Sequence, residues 1–246
     1  KGVFFNVTAA PAKERVHFVE EAFRVLKALG IEASAGQPKL FPSKEAQREA
    51  GKLLVEAGVK GNDLLIAVHP GGYYPSQRWL PDRFAEVIAG SVSAYKAKIL
   101  LIGGVAEREL VARIADAAGR GSDGSIIQVL NVRTDVLSAL IGRSRLFIGD
   151  NSGPLHIAGA LNIPSVSTMG PTDNVRWYPL GPDQVVLRSG LVCSPCNRGV
   201  CKDHECMSDL TAGAMLESVA RLLAVKGIAR GNEGGSLSAS PDNEPV

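Results

Sequence analysis

The sequence predicts an α/β fold in which a doubly wound parallel sheet is covered by helices on both faces. From residue 63 onward, short runs rich in Val, Ile and Leu recur without polar alternation, as in strands buried on both faces. Amphipathic stretches separate these runs, and turns containing Gly or Pro follow them. Strands that alternate with helices in this way form Rossmann-like domains, which bind ligands beyond the carboxyl ends of their strands.

The elements follow in order along the chain. Two amphipathic helices are predicted first, at 16–29 and 44–57, each stopped by a glycine, and the stretch between them, 36–43, is predicted as a loop or an edge strand. The strands of the sheet are predicted at 64–68, 98–102, 126–130, 146–148, 165–169 and 185–187. The helices that alternate with them are predicted at 81–95, 106–118, 135–142 and 153–161. Pro81 suits the first turn of its helix.

This pattern divides the chain into three parts. Residues 63–226 form the Rossmann-like domain, and 1–62, with two helices and little sheet, are predicted to be a linker and the remnant of a preceding domain. The tail 227–246 is rich in Gly, Ser and Pro and is predicted to be disordered. The chain begins with Lys1 rather than Met and opens on no signal-peptide pattern, so we interpret it as a fragment.

Composition argues against several classes of function. The 246 residues carry 27 Lys and Arg against 25 Asp and Glu, a net charge of +2, and no basic stripe interleaved with aromatic residues points to nucleic acid. An apolar run of about 18 residues, as a spanning helix needs, is absent from the sequence. A peripheral contact with a membrane surface is left open by these observations.

A polar turn, DNSGPLH at 150–156, lies between a predicted strand and a predicted helix. Ser152 is placed to cap that helix, Gly153 allows a ligand to approach the backbone, and His156 falls in the first turn. Free amides and the dipole at a helix N-terminus favour an anion such as a phosphate. The alternative is structural: Ser152 only caps, and His156 is a buried residue with satisfied hydrogen bonds.

Two other strand ends carry similar turns. The sequence HPGG at 69–72 follows the first strand, with Gln77, Arg78 and Trp79 close behind it. Arg78 can pair with a phosphate or be a solvated surface charge, whereas Trp79 is expected in the core. Gly103 and Gly104 follow the second strand, and Glu107 there can accept hydrogen bonds from a ribose or stabilise a helix N-terminus. Because parallel strands end at one edge of the sheet, these turns predict a nucleotide site.

Four motifs, in this order, resemble glycosyltransferase family 9, the ADP-heptose:lipopolysaccharide heptosyltransferases. They are HPGGYYPSQRWLPDRF, LIGGVAERE, GDNSGPLHIAGALNIPSVSTMGPTD and CSPCNRGVCKDHECM, and the resemblance covers roughly 16–223. It implies a GT-B architecture, in which a C-terminal domain binds the nucleotide sugar and an N-terminal domain binds the lipopolysaccharide acceptor. Residues 63–226 would then be the donor-binding half, and 1–62 a remnant of the acceptor domain.

The resemblance also implies the chemistry. Such enzymes transfer heptose from ADP-heptose to the lipopolysaccharide inner core with inversion and without a required cofactor, at the cytoplasmic face of the inner membrane. Their general base lies in the N-terminal domain, so we expect this chain alone to bind donor and transfer little. The donor-binding positions implied by the motifs or inferred from the strand ends are Gly71, Gly72, Gln77, Arg78, Glu107, Val132, Asp150, Asn151, Ser152, Gly153 and His156.

Two positions depart from the family pattern. The family often has Lys where this chain has Gln77, and the Asp of its D-[ST]-G turn falls on Asn151, with Asp150 one residue away. These departures motivate an alternative hypothesis, a non-catalytic nucleotide-sugar or carbohydrate-binding protein with a decayed donor site. A nicotinamide dehydrogenase is disfavoured, because the first turn is HPGG rather than G-x-G-x-x-G.

All four cysteines fall within one short segment. Cys193, Cys196, Cys201 and Cys206 have the spacing C-x2-C-x4-C-x4-C. Clustered thiolates can bind a structural zinc ion or an iron–sulfur cluster, and free or paired thiols that staple a loop are the alternative. In either case the segment is expected to serve structure rather than catalysis.

Overall fold

The computed structural model describes residues 7–119 and 124–229, and it contains one six-stranded sheet in which all strands are parallel. The strands are β1 Leu65–His69, β2 Lys98–Gly103, β3 Ile126–Leu130, β4 Leu146–Asp150, β5 Ser165–Thr168 and β6 Gln184–Leu187. Their order across the sheet is β3-β2-β1-β4-β5-β6. Strands β1 to β3 are added in one direction across the sheet and β4 to β6 in the other. The boundary between β1 and β4 is therefore the topological switch point of a Rossmann-like sheet.

Helices cover both faces of the sheet. Their bounds are α1 Phe18–Ala28, α2 Lys44–Glu56, α3 Pro81–Tyr95, α4 Arg108–Ala117, α5 Thr134–Gly142, α6 Gly153–Ala160, α7 Glu205–Ser208 and α8 Ala212–Val225. Side chains alternate along each strand: in β1, Ile66 and Val68 join the core beneath α3, α4 and α8. Leu65 and Ala67 join the opposite core beneath α2, α5 and α6. The predicted α/β doubly wound fold is confirmed.

Each predicted strand and helix is observed, with small differences at its ends, whereas α7 and α8 were not predicted from the sequence. The helix predicted at 106–118 begins at Arg108, after a 3₁₀ turn at Val105–Glu107 in which Glu107 Oε2 accepts the Gly104 N–H at 2.6 Å. The carboxylate stabilises the tight turn before the helix starts. β4 runs two residues further than predicted, to Asp150, and the stretch 36–43 forms a loop rather than a strand up to the start of α2.

The two N-terminal helices differ in how they pack. Three side chains of α2, Ala46, Ala50 and Leu54, are buried in the same core as β1, so α2 is an integral layer of this fold. By contrast, none of the side chains of α1 is buried. The division of the chain at residue 62 stays a prediction, and the predicted tail 227–246 lies outside the described residues from 230 onward.

No helix within the described ranges has both the length and the apolar character that are needed to cross a bilayer.

Candidate functional site

A cavity of about 620 Å³ opens at the carboxyl edge of the sheet, beside the switch point between β1 and β4. Its walls come from the turn after β1, the start of α6, the loop after β5 and the cysteine-containing segment. The residues that line it are Tyr73, Tyr74, Gln77, Asn151, Ser152, Gly153, His156, Thr172, Arg176, Trp177 and Asn197. Cavities of this size and position bind small molecules in doubly wound folds.

The N-terminus of α6 forms one wall. Ser152 occupies the N-cap position, as predicted, but its side chain makes no capping hydrogen bond. Its hydroxyl lies instead 3.1 Å from Nδ1 of His69 and 3.3 Å from the carbonyl oxygen of Asp150. A Cβ built on Gly153 would meet no atom within 4 Å. The first turn of α6 is therefore open to an incoming group, and its dipole favours a negative one.

His69, at the end of β1, holds the Ser152 hydroxyl in place. The ring is buried, and burial lowers the pKa of His69 to about 4, with the charge of Glu107 acting in the opposite direction. The imidazole is therefore neutral at pH 7. Gly71 lies between these two side chains, since a Cβ there would come within 2.8 Å of His69 Cε1 and 2.9 Å of Glu107 Oε1. Any larger residue at position 71 would push the two apart.

Asp150, the last residue of β4, precedes the lining residue Asn151 and is fully buried. Its Oδ1 accepts hydrogen bonds from the Trp79 main-chain N–H at 3.0 Å and from the Thr168 hydroxyl at 2.7 Å. Its Oδ2 has no partner among the described residues. Burial raises the pKa of Asp150 to about 8, so the group is mostly a neutral acid at pH 7. Through these two hydrogen bonds the Asp150 side chain connects the segment after β1 to the end of β5.

The turn after β1 presents uncharged groups to the cavity. Gln77 accepts the Tyr74 N–H at 3.3 Å, and its amide donates to the Thr172 hydroxyl at 3.2 Å. Arg78 does not line the cavity: its Nε donates to the Gly72 carbonyl at 2.9 Å. Trp79 is only 2% exposed, and its indole N–H donates to the Leu210 carbonyl at 3.0 Å. Its predicted place in the core is confirmed.

The loop after β5 forms the facing wall. Asp173 accepts the main-chain N–H groups of Val175 at 2.9 Å and Arg176 at 3.2 Å, which closes a tight turn. Asn151 donates from Nδ2 to the Trp177 carbonyl at 3.1 Å and so ties this loop to the start of α6. The Asn at position 151 therefore supplies an amide donor that an Asp could not supply.

The cavity brings together five of the residues predicted from the sequence: Gln77, Asn151, Ser152, Gly153 and His156. Six predicted residues lie outside its lining: Gly71, Gly72, Arg78, Glu107, Val132 and Asp150. Glu107 takes up its alternative role, stabilising the turn before α4, and Val132 packs against the core beneath α5. Ligand contacts for the eleven positions remain predictions. His156 is partly buried, and burial and then the neighbouring His17 lower its pKa, so the ring is mostly neutral at pH 7.

Six lining residues were not predicted from the sequence: Tyr73, Tyr74, Thr172, Arg176, Trp177 and Asn197. The sequence does contain a signal for three of them, Thr172, Arg176 and Trp177, which lie in the loop after β5. The segment PTDNVRW directly follows a strand, so it had to reach the same edge of the sheet as the other turns.

The cysteine-containing segment contributes Asn197 to the cavity wall. His204 Nε2 lies 3.0 Å from the Ser76 carbonyl oxygen, and Asn197 accepts the Asp173 N–H at 3.1 Å. All four thiols are free. Within residues 7–119 and 124–229, no group of three or more His, Cys, Asp or Glu side chains could hold a metal ion. The suggested zinc or iron–sulfur site stays a prediction. Cys206 is buried while Cys193 is exposed, and burial and then the charges of the other three cysteines raise the pKa of the Cys206 thiol.

Solved structures share this fold. The glycosyltransferase family 9 protein of Veillonella parvula has a TM-score of 0.73 at 20% identity, over 88% of this chain and 62% of that one. The ADP-heptose lipopolysaccharide heptosyltransferase II of E. coli has the same TM-score and identity, over 90% of this chain and 66% of that one. At this identity the likeness concerns the fold, which is that of GT-B heptosyltransferases.

Sequence relatives agree with the structural neighbours. Lipopolysaccharide heptosyltransferase 3 of Escherichia coli K12 is 30% identical over 66% of this chain and 46% of its own length. Lipooligosaccharide heptosyltransferase 2 of Campylobacter jejuni is 29% identical over 67% of this chain and 53% of its own. The chain thus spans about half the length of the curated relatives it matches. The model of glycosyltransferase family 9 (heptosyltransferase) matches residues 2–206, and the chain belongs to that family.

Proposed function

We propose that this chain binds ADP-heptose in the cavity and acts as the donor-binding half of an inverting heptosyltransferase of the lipopolysaccharide inner core. The observation that carries the proposal is the open N-terminus of α6 at the switch point. There Ser152, Gly153 and His156 face a cavity of about 620 Å³. A diphosphate suits this position, because the helix dipole favours negative charge there and the side chains of Ser152 and His156 can donate hydrogen bonds to it.

The relatives support the choice of donor. Curated relatives are named lipopolysaccharide or lipooligosaccharide heptosyltransferases. The E. coli heptosyltransferase WaaC has been solved with ADP and with ADP-2-deoxy-2-fluoro heptose. We infer the same class of donor for this chain, with a lipopolysaccharide core as acceptor. Its place of action would then be the cytoplasm, in peripheral contact with the inner membrane where that acceptor is held.

In the proposed reaction, an acceptor hydroxyl oxygen attacks the anomeric carbon of the heptose as the bond from that carbon to the diphosphate oxygen breaks. ADP leaves with the electron pair of the broken bond, and the hydroxyl proton passes to a general base. The chain's own contribution is to stabilise the charge that develops on the diphosphate, through the dipole of α6 and the side chains of Ser152 and His156. The base belongs, in this proposal, to an acceptor-binding domain, so the chain alone should transfer little.

Thermal unfolding of the chain with and without ADP tests the proposal. A ligand at a hundredfold excess over its Kd stabilises the folded state by about 2.7 kcal/mol. For a chain of this size that corresponds to a rise in Tm of roughly 5–10 °C. Adenosine, which lacks phosphate, should produce a much smaller rise. An unchanged Tm at millimolar ADP would contradict the proposal.

A bulky side chain at the start of α6 provides a matched test. A Cβ at Gly153 meets no atom within 4 Å beyond its chain neighbours, so Gly153→Val should fold, at some cost in stability from the following Pro154, yet it should block the approach of a phosphate. Gly213→Val, at the start of α8 and away from the cavity, is the control. We expect the response of Tm to ADP to be lost in the first variant and kept in the second.

The second candidate, a binding protein with a decayed donor site, is favoured by one observation. Gln77 is neutral and already hydrogen-bonded to Thr172 and Tyr74, so it brings no charge to the cavity. A protein that joins this chain to an acceptor-binding domain, assayed for heptose transfer, separates the two functions. Tight ADP binding without transfer in a folded protein would favour the second candidate.

A further inference from the structure

Among the residues that line the cavity, the fixed charge is positive and belongs to a single side chain. Its eleven lining residues, all within the described ranges, include one side chain with a fixed charge, Arg176, and no carboxylate. Burial lowers the pKa of the other titratable nitrogen base, His156, so that ring adds little positive charge at pH 7. A ligand with two or more negative charges would therefore meet its counter-charge at Arg176.

The main chain of Arg176 is fixed, while its guanidinium remains accessible. The main-chain N–H donates to Asp173 Oδ1 at 3.2 Å, and the carbonyl accepts the Phe18 N–H at 3.0 Å. The guanidinium carbon lies 5.4 Å from the centroid of the Phe18 ring and 5.8 Å from that of Trp177, beside these two rings, which stack on each other at 4.8 Å. Its side chain is still 38% exposed.

One carboxylate already pairs with this guanidinium. The Nη2 atom of Arg176 lies 2.6 Å from Oε2 of Glu21, in the first turn of α1. A guanidinium has five N–H donors, so the remaining ones can reach a second anion. Glu21 neutralises part of the charge that the cavity would otherwise present, and a bound anion would have to share the guanidinium with it.

A second arginine close to the cavity, Arg78, does not face into it. Arg78 is absent from the lining, and its Nε is committed to the Gly72 carbonyl within its own turn. Its charge acts instead on the buried side chains of His69 and Asp150, where burial dominates the pKa shift and the arginine is a smaller effect that lowers the pKa of each group. Arg176 is thus the better placed of the two arginines to contact a ligand.

We propose that Arg176 is the cation that binds the diphosphate of the ligand, and that Glu21 of α1 competes with the ligand for it. This inference rests on the proposed function, since it assigns the phosphate-binding side chain of the same cavity. It also links the position of α1 to occupancy of the cavity, because Phe18 and Glu21 contact the arginine from one side and the ligand would contact it from the other.

Equilibrium binding of ADP, AMP and inorganic pyrophosphate to the purified chain, by calorimetry, tests the proposal. Arg176→Gln should weaken ADP about tenfold or more, the usual effect of losing a charge-assisted hydrogen bond, and should weaken AMP less. Glu21→Gln should tighten ADP about two- to fivefold, because it removes the competing carboxylate. Arg83→Gln, which loses an exposed ion pair with Glu86 on α3, is the control and should bind as the wild type does.

Opposite effects at positions 176 and 21 distinguish binding from a structural role, and circular dichroism of each variant confirms that it is folded. Wild-type affinity for ADP in Arg176→Gln, or a loss in Glu21→Gln as large as that in Arg176→Gln, would overturn the proposal. If the wild type binds pyrophosphate through Arg176 but not ADP, the proposed function fails and this inference stands. If the wild type binds neither, both fail.

Discussion

Replacing Asp150 by Asn should flatten the dependence of the chain's stability on pH above 6.5. Asp150 is fully buried, with Oδ1 hydrogen-bonded to the Trp79 N–H and the Thr168 hydroxyl, and burial raises its pKa from 3.8 to about 8. An Asn at this position keeps the accepting oxygen and nearly the same shape. It removes only the group that titrates.

The sign and size of the effect follow from proton linkage. Between pH 4 and 8 the folded chain holds a proton on Asp150 that the unfolded chain has lost, so stability falls as pH rises, by about 1.4 kcal/mol per pH unit. His69 acts in the opposite direction. Its pKa is lowered from 6.5 to about 4, so stability falls as pH drops through that window. Between pH 4 and 6.5 the two slopes largely cancel, and His156, whose pKa is also lowered, acts in the same direction as His69. From 6.5 to 8 the Asp150 slope dominates and removes about 1–2 kcal/mol.

Urea unfolding at pH 6.5, 7.0, 7.5 and 8.0, followed by tryptophan fluorescence, measures this slope. The wild type should lose about 1–2 kcal/mol of unfolding free energy across the series. Asp150→Asn should lose much less. Asp82→Asn, which removes an exposed carboxylate at the start of α3, is the matched control and should keep the wild-type slope. Equal slopes in wild type and Asp150→Asn would refute the reasoning.

Three further substitutions test packing and the site. Gly149→Ala should destabilise the chain by about 1–3 kcal/mol in urea unfolding, because its Cβ would lie 2.6 Å from the His69 carbonyl oxygen on the adjacent strand; unchanged stability would contradict this. Trp79→Phe should cost a similar 1–3 kcal/mol by leaving the Leu210 carbonyl without its indole donor, and a loss below 0.5 kcal/mol would argue against that bond. His156→Ala should reduce the rise in Tm with ADP without lowering the Tm of the free chain by more than a few degrees. An undiminished rise would remove His156 from the proposed site.

The sheet could be predicted because its signals are local. Each strand is a short apolar run closed by Gly, Pro or a polar turn, and each intervening helix has its own periodicity. Parallel strands then place their carboxyl ends, and the turn DNSGPLH, at one edge. Ser152 and His156 were found in this way, and the cavity confirms that they share one wall.

The rest of the site depends on contacts between distant residues. The burial of Asp150 is set by Trp79 and Thr168, which are 71 and 18 residues away in sequence. Arg78 and Arg176 look alike in the sequence, and only the hydrogen bond of Arg78 to its own turn decides which arginine faces the cavity. Ser152 could be placed at the N-cap, but the neighbouring strand supplies the His69 ring that diverts its hydroxyl from capping.

The contacts of Asp150 have a consequence for sequence variation among relatives. On the β1 side the acid is bonded to the main chain at position 79, so that bond places no demand on which side chain stands there. On the β5 side it is bonded to the hydroxyl of Thr168, a contact between two side chains. Positions 150 and 168 should therefore covary: homologues that have lost the hydroxyl at 168 should also have replaced the acid at 150.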